Sequence, residues 1–261
     1  MSSDESEELK AAAGKLLREL RQDDYVRLVF EPEWYVHLTE EFNLKSAELY
    51  KGTTEEELGA FLIAGTDVTL EEFNAHSPKG LGRLNQELER EVNLWKLGPG
   101  SFLKVSTKAR TQIHAPSEGL VLKEVSRYVV ESDHEIIHDV PKDHASSGTL
   151  QRRRRIGKTI VGEFPAKAAQ REVEQEHGVW LDLVRFIPLT IGVPKTLPPR
   201  PSSMYQCPGI TIESIDVVWE FRINVPSVTR WHSPKLHARG NILEFDDEGV
   251  HIRVAWLREK N

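Results

Sequence analysis

Between Gly157 and Val179 the chain reads GKTIVGEFPAKAAQREVEQEHGV, a stretch that gathers several oxygen donors. Pro165 suits the first turn of a helix, where its missing N–H goes unneeded, and Gly178 is a natural left-handed stop. The spacing therefore predicts a helix over Pro165–His177. Glu172 and Glu176 stand four residues apart, and Gln175 three from Glu172, so all three project from one face. Like charges at that spacing repel mildly. A hard divalent cation such as Mg2+ or Mn2+ resolves the repulsion and prefers oxygen ligands of this kind. An acidic face turned to solvent would have the same composition. Glu174 points about a hundred degrees away, so it would belong to such a solvated face but not to the ligand set.

Just before this stretch comes a run of arginines, Arg152 to Arg155. Charge runs usually serve solubility. In an extended backbone, however, alternate side chains share a side, so two of the four can face a cleft beside the helix, with Arg153 and Arg155 the candidate pair. Guanidinium groups bind phosphate bidentately, and Lys158 is a further candidate for that task. His134-Glu135-Ile136-Ile137-His138 spells HExxH, but zinc chemistry needs that pattern on a helix. Val129, Val130, Ile136, Ile137 and Val140 favour strand instead, with Asp133 at a turn and Pro141 close behind. Among aromatics able to stack on a base, Trp180, Tyr205, Trp219 and Trp231 stand out. Trp219, within VVWEFRI, is expected in the core, and Trp231, within VTRWHSPKLH, is expected exposed.

The long spacing adds specificity. Gly157 is followed after five residues by Glu163, then after seven by Arg171-Glu172-Val173-Glu174-Gln175-Glu176-His177-Gly178-Val179. This resembles the Nudix box, which places glutamate where this chain has Gln175 and matches at every other fixed position. Gly162 and Ala168 extend the agreement. The resemblance implies a Nudix-like α/β/α sandwich with a mixed sheet and hydrolysis of a nucleoside diphosphate linked to another group. It implies Glu172 and Glu176 as ligands of Mg2+ or Mn2+, with Glu172 also orienting or deprotonating water. Arg171 and Glu163 would pair to hold the loop on the helix. The carbonyl of Ile156 or Gly157 would add a ligand. Gln175 can coordinate through its amide oxygen but brings no charge. A further acid from a later segment, among Glu213, Asp216, Glu244, Asp246 and Asp247, could complete the set. Two other readings follow from the same residues: a Nudix-fold module that binds a nucleotide or docks a partner without hydrolysis, and a diphosphatase for an isoprenyl-type substrate.

The elements that must position this helix follow from patterning. Leu9, Ala13, Leu16, Leu17 and Leu20 fall at helical spacing, and a short extended segment spans Tyr25 to Phe30. Thr53 and Thr54 with Glu57 form a capping-box-like start for a helix through Ile63. Leu81, Leu84, Leu88, Val92 and Trp95 line one stripe of a further helix, ended by Gly98-Pro99-Gly100. Beyond that point the texture is strand-rich: 101–106, 120–130, 135–140, 180–191, 211–225 and 251–257. A proline-rich connection, VPKTLPPRPSSMYQCPG, reads as a surface loop. The expected class is α+β, with a mainly helical region over 1–97 and the Nudix-like domain over 100–261.

Composition sets outer limits. A net charge of −7 on 261 residues opposes broad nucleic-acid binding. The single cysteine, Cys207, allows no intrachain disulfide, and the acidic, serine-rich start lacks targeting character. No apolar run reaches membrane-spanning length. Composition points to a cytoplasmic protein. A small-molecule diphosphate substrate, most simply a nucleotide, is what the Nudix resemblance implies, and a homodimer is left open.

Overall fold

The computed structural model describes residues 42, 44–90, 92–129, 134–137, 140–151, 163, 165–190, 194–202, 204–228, 231, 237–239, 242–247 and 250–259. The expected helix around Leu9–Leu20 and the extended segment Tyr25–Phe30 lie outside them. Three short helices come early, α1 (Glu55–Ile63), α2 (Leu70–His76) and α3 (Gly80–Arg90). Thr54 caps α1 as its sequence predicts. The Glu57 N–H donates to the Thr54 hydroxyl at 3.1 Å, and the Thr54 N–H donates to the Glu57 carboxylate at 3.2 Å. Such a cap is worth about 1 kcal/mol. Thr69 and Glu72 repeat the device on α2.

The helix expected to reach Trp95 ends at Arg90. After the short β1 (Glu48–Leu49), residues Val92–Gly98 form β2 instead. VNLWKL also alternates, with Val92 and Leu94 buried, and pairing along β3 (Ser101–Ala115) decides between the two periods. Gly98-Pro99-Gly100 is thus the turn of a hairpin, in which Gly98 pairs with Ser101. Gly100 has φ of 66°, and a Cβ there would strike the carbonyl oxygen of Gly209. Gly100→Ala is therefore expected to cost about 2 kcal/mol, from left-handed strain and displacement of the facing turn. Thermal unfolding should show a melting point lower by roughly 4–8 °C. An unshifted melt would mean that the two turns do not meet so closely.

The remaining elements are β4 (Leu120–Val129), β5 (His134–Ile137), β6 (Ser146–Thr149), α4 (Pro165–His177), β7 (Ile187–Pro188), β8 (Lys195–Thr196), β9 (Arg200–Pro201), β10 (Thr211–Asn224), β11 (His237–Arg239), β12 (Ile242–Asp247) and β13 (Val250–Arg258). The long strands β3 and β10 run parallel in unbroken register from Ser101–Thr211 to His114–Asn224. Along the other edge of β3 lie β2, β6 and β4 in turn, and β4 continues through β13 and β12 to β11, all antiparallel. The sheet is mixed and, with four α-helices among the described residues, the class is α+β.

Strand alternation sends the two halves of this central pair to different partners. Phe102 and its neighbour Ile212 join Leu58, Leu84 and Tyr205 in a core under α1–α3. Ala109 with Trp219, and Ile113 with Ile223, point the other way and join Ala168, Ala169 and Val173 of α4. One sheet and its cores thus extend across both sides of Gly98–Gly100.

Two expectations need correction. Within the strand expected over 180–191, the described residues form only the two-residue β7, paired with Phe221 and Arg222. Ahead of it Leu183–Arg185 form a 3-10 turn, in which the Arg185 and Phe186 N–H groups donate back to the Asp182 and Leu183 carbonyls and draw the backbone out of an extended course. The proline-rich connection lies at the surface as expected, with Lys195, Pro198, Pro199 and Arg200 exposed, but it is not irregular throughout: β8 and β9 pair with β10, and Tyr205 and Cys207 are buried. A proline-bearing strap of this kind covers a sheet edge without offering a new one. The HExxH stretch lies in strand as its residue types predict, with β5 paired to β4; His138 is outside the described residues. Among the described residues no helix is long and apolar enough to cross a membrane.

Candidate functional site

Helix α4 spans the residues that its sequence predicts and stops at Gly178, whose φ is 65° and whose N–H donates to the Glu174 carbonyl at 2.8 Å. Its alanines and Val173 lie flat on the sheet, so the polar face is set by what remains. Glu174 and Gln175 are exposed, Glu172 is half-buried, and Glu176 is only 5% exposed. The burial of Glu176 follows from its place one turn beyond Glu172 on the flank of the stripe that meets the sheet.

Arg171 is the hub of the site. Its Nε and Nη2 donate to the two oxygens of Glu163, each at 2.9 Å, and Nη2 also donates to the Thr149 carbonyl at 3.0 Å. Its Nη1 donates to the Glu172 carboxylate and to Oε1 of Gln175, the latter at 3.1 Å. A two-pronged guanidinium–carboxylate contact is among the stronger side-chain interactions. Burial works against the charge of Arg171, but its bonds to Glu163 and the charges of Glu172 and Glu163 outweigh that and hold its proton more tightly than usual. Glu163 is fixed from its other side too. Its N–H donates to the Gln151 carbonyl at 2.8 Å, and its carboxylate accepts from the Gln151 N–H at 3.0 Å. The ends of the 151–163 segment are thereby tied to each other and to α4. Arg153, Arg155, Ile156, Gly157, Lys158 and Gly162 lie outside the described residues.

Strand β6 forms the floor. Gly148 faces Ala109 across the ladder, and the Glu172 side chain lies directly over it. Neither Gly148 nor the Thr149 carbonyl was foreseen. The small, polar SSGT ahead of the arginine run was the available signal, since close helix–sheet approach needs small residues. At the far end of α4 the His177 ring is fully buried, with Nε2 at 3.1 Å from the Ala145 carbonyl and its edge against Trp231 at 5.7 Å between centroids. Burial pushes His177 down to about 4, against the raising effect of that carbonyl.

The structure separates the later acids. Asp216 accepts from Ser106, Lys108 and Arg200 at 2.5–3.0 Å, on the sheet face opposite α4. Glu213 stands near the start of β10, beside Leu103. Glu244 accepts from Tyr128, His251 and Arg253 at 3.0–3.2 Å. The backbone of β12, which also carries Asp246 and Asp247, runs against α4. Among the described residues no group of three or more His, Cys, Asp or Glu side chains is gathered as a metal cluster. Of the aromatics, Trp219 is in the core as expected, and Tyr205 is buried. Trp231 is 5% exposed, not solvent-facing, because it closes the core beside His177. Trp180, just past α4, is exposed.

No family model matches the chain, and no curated protein matches it. Among solved structures the chain is similar to a MutT/nudix family protein from Enterococcus faecalis, at 11% identity over 56% of this chain and 50% of that one. The likeness thus spans half the length of that protein, and at a TM-score of 0.18 it carries no weight for the fold.

Proposed function

We propose that the protein is a metal-dependent pyrophosphohydrolase that cleaves the diphosphate linkage of a nucleoside diphosphate joined to a second group. The observation that carries this reading is the clamp of Arg171 on Glu163. It holds the ends of a glycine-containing segment against the helix turns that bear Glu172 and Glu176. Two carboxylates one turn apart are hard donors suited to Mg2+ or Mn2+. Gln175, whose Oε1 accepts from Arg171, adds no charge. The ion would therefore rest on Glu172 and Glu176, with further oxygens from outside the described residues, the Gly157 carbonyl among them. Bound there, it would offset diphosphate charge and acidify a coordinated water. Glu172, less buried than Glu176, would orient that water or take its proton, and Arg153, Arg155 and Lys158 would hold phosphate oxygens.

A second reading, a module that binds a nucleotide without cleaving it, is favoured by the same Arg171–Gln175 contact, which leaves one family carboxylate replaced by a bound amide. One experiment separates the two: product release from a panel of nucleoside diphosphate and dinucleotide substrates with Mg2+ and Mn2+, beside Glu172→Gln and Glu176→Gln. Release in the wild type that disappears in both variants, with circular dichroism unchanged, supports hydrolysis. Nucleotide binding without product in the wild type would select the second reading.

A further inference from the structure

We infer that Gly148 is a positioning residue for Glu172, an inference that rests on the hydrolase reading of α4. Gly148 lies in β6 opposite Ala109, and its backbone has no left-handed angle to demand glycine. What requires glycine is space. The place a Cβ would take is already filled by Cγ, Cδ and Oε1 of Glu172. One residue on, the Thr149 carbonyl accepts from Arg171. Consecutive residues of one short strand thus seat both the carboxylate and the guanidinium beside it.

The consequence is selective. A methyl group at position 148 meets the flexible end of a glutamate rather than backbone, so Glu172 must move and the sheet need not. Alanine even loses less chain entropy than glycine on entering a strand. Gly148→Ala therefore turns the Glu172 carboxylate away from its seat, and with it half of the carboxylate pair at Glu172 and Glu176. Changes one layer behind a metal ligand typically weaken binding 10–100-fold.

The test uses the full chain and Mn2+ alone, followed by titration calorimetry, with four proteins: wild type, Gly148→Ala, Glu172→Asp and the double variant. Gly148→Ala is expected to weaken Mn2+ binding about tenfold or more and to lower kcat more than it raises KM. In the Glu172→Asp background, where the side chain is one methylene shorter, Gly148→Ala should change Mn2+ affinity little. Should Gly148→Ala alone fail to fold, folding of the double variant supports the inference, and failure of both overturns it. Wild-type binding that survives unchanged in Gly148→Ala overturns this inference alone. No Mn2+ binding by the wild type overturns the reading of α4 on which it rests.

Discussion

Acidification from pH 6.5 towards 4 is expected to unfold this protein, because two buried imidazoles cannot take up protons that the unfolded chain binds readily. His144 is held down to about 3, chiefly by burial and then by the charge of Arg110, with Glu124 acting in the opposite sense. His177 is held down to about 4 by burial. Above pH 6.5 both rings are neutral in both states, and the native state has its full stability. Between 6.5 and 4 only the unfolded chain gains the protons, so stability falls as pH falls, by ~1.4 kcal/mol per pH unit for each ring. For two rings across this window the loss rivals the 5–15 kcal/mol that typical domains possess. Glu124 extends the effect downward. Burial alone would raise its pKa, but hydrogen bonds and charges from Arg127 and Lys142 hold it at about 2. Its contribution is present above 4.5 and is lost as pH falls from there towards 2. Urea unfolding across a pH series would measure the slope, and His144→Asn with His177→Gln should flatten it. A midpoint that stays level from pH 6.5 to 4 is incompatible with these buried rings.

Replacing Arg171 by alanine should be the most damaging single change on α4. The guanidinium is the partner of Glu163 and Glu172, whose side chains are each 12% exposed. Removing it leaves carboxylates in a poorly solvated seat with their main positive partner gone, a situation that typically costs 3–5 kcal/mol. With Arg171 itself 21% exposed, water relieves part of this, and about 3 kcal/mol is expected. The melting point should then fall by roughly 6–12 °C. Arg171→Lys should recover only part, since an ammonium cannot span both oxygens of Glu163 and still reach the Thr149 carbonyl. The cycle of Arg171→Ala with Glu163→Gln gives the coupling directly. Strict additivity of the two would show that the clamp contributes nothing to stability.

Local chemistry determined α4 completely: Pro165 and Gly178 fix its ends, and the placing of Glu172, Gln175 and Glu176 on one side is a consequence of helical period alone. Thr54 and Glu57 likewise set the start of α1, because a capping box uses only neighbouring residues. Tertiary structure decided what period could not. Val92 and Trp95 fit both a helix stripe and an alternating strand, and only the unpaired edge of β3 chose strand. Trp231 sits in a polar stretch, yet it is buried because His177 and the α4 core leave a space that its ring fills. The proline-rich stretch reads locally as a loop, but β8 and β9 cover the outer edge of β10, and Tyr205 and Cys207 enter the core. Glu176 reads as a solvated acid by composition and is out of water only because alanines let α4 lie close to the sheet. Small residues in SSGT hint at close packing, but which side chain Gly148 leaves room for, 24 positions away, is decided only by the fold. Residue types and spacing thus specified which groups α4 carries, and long-range packing specified which of them meet Arg171, the floor of β6 and water.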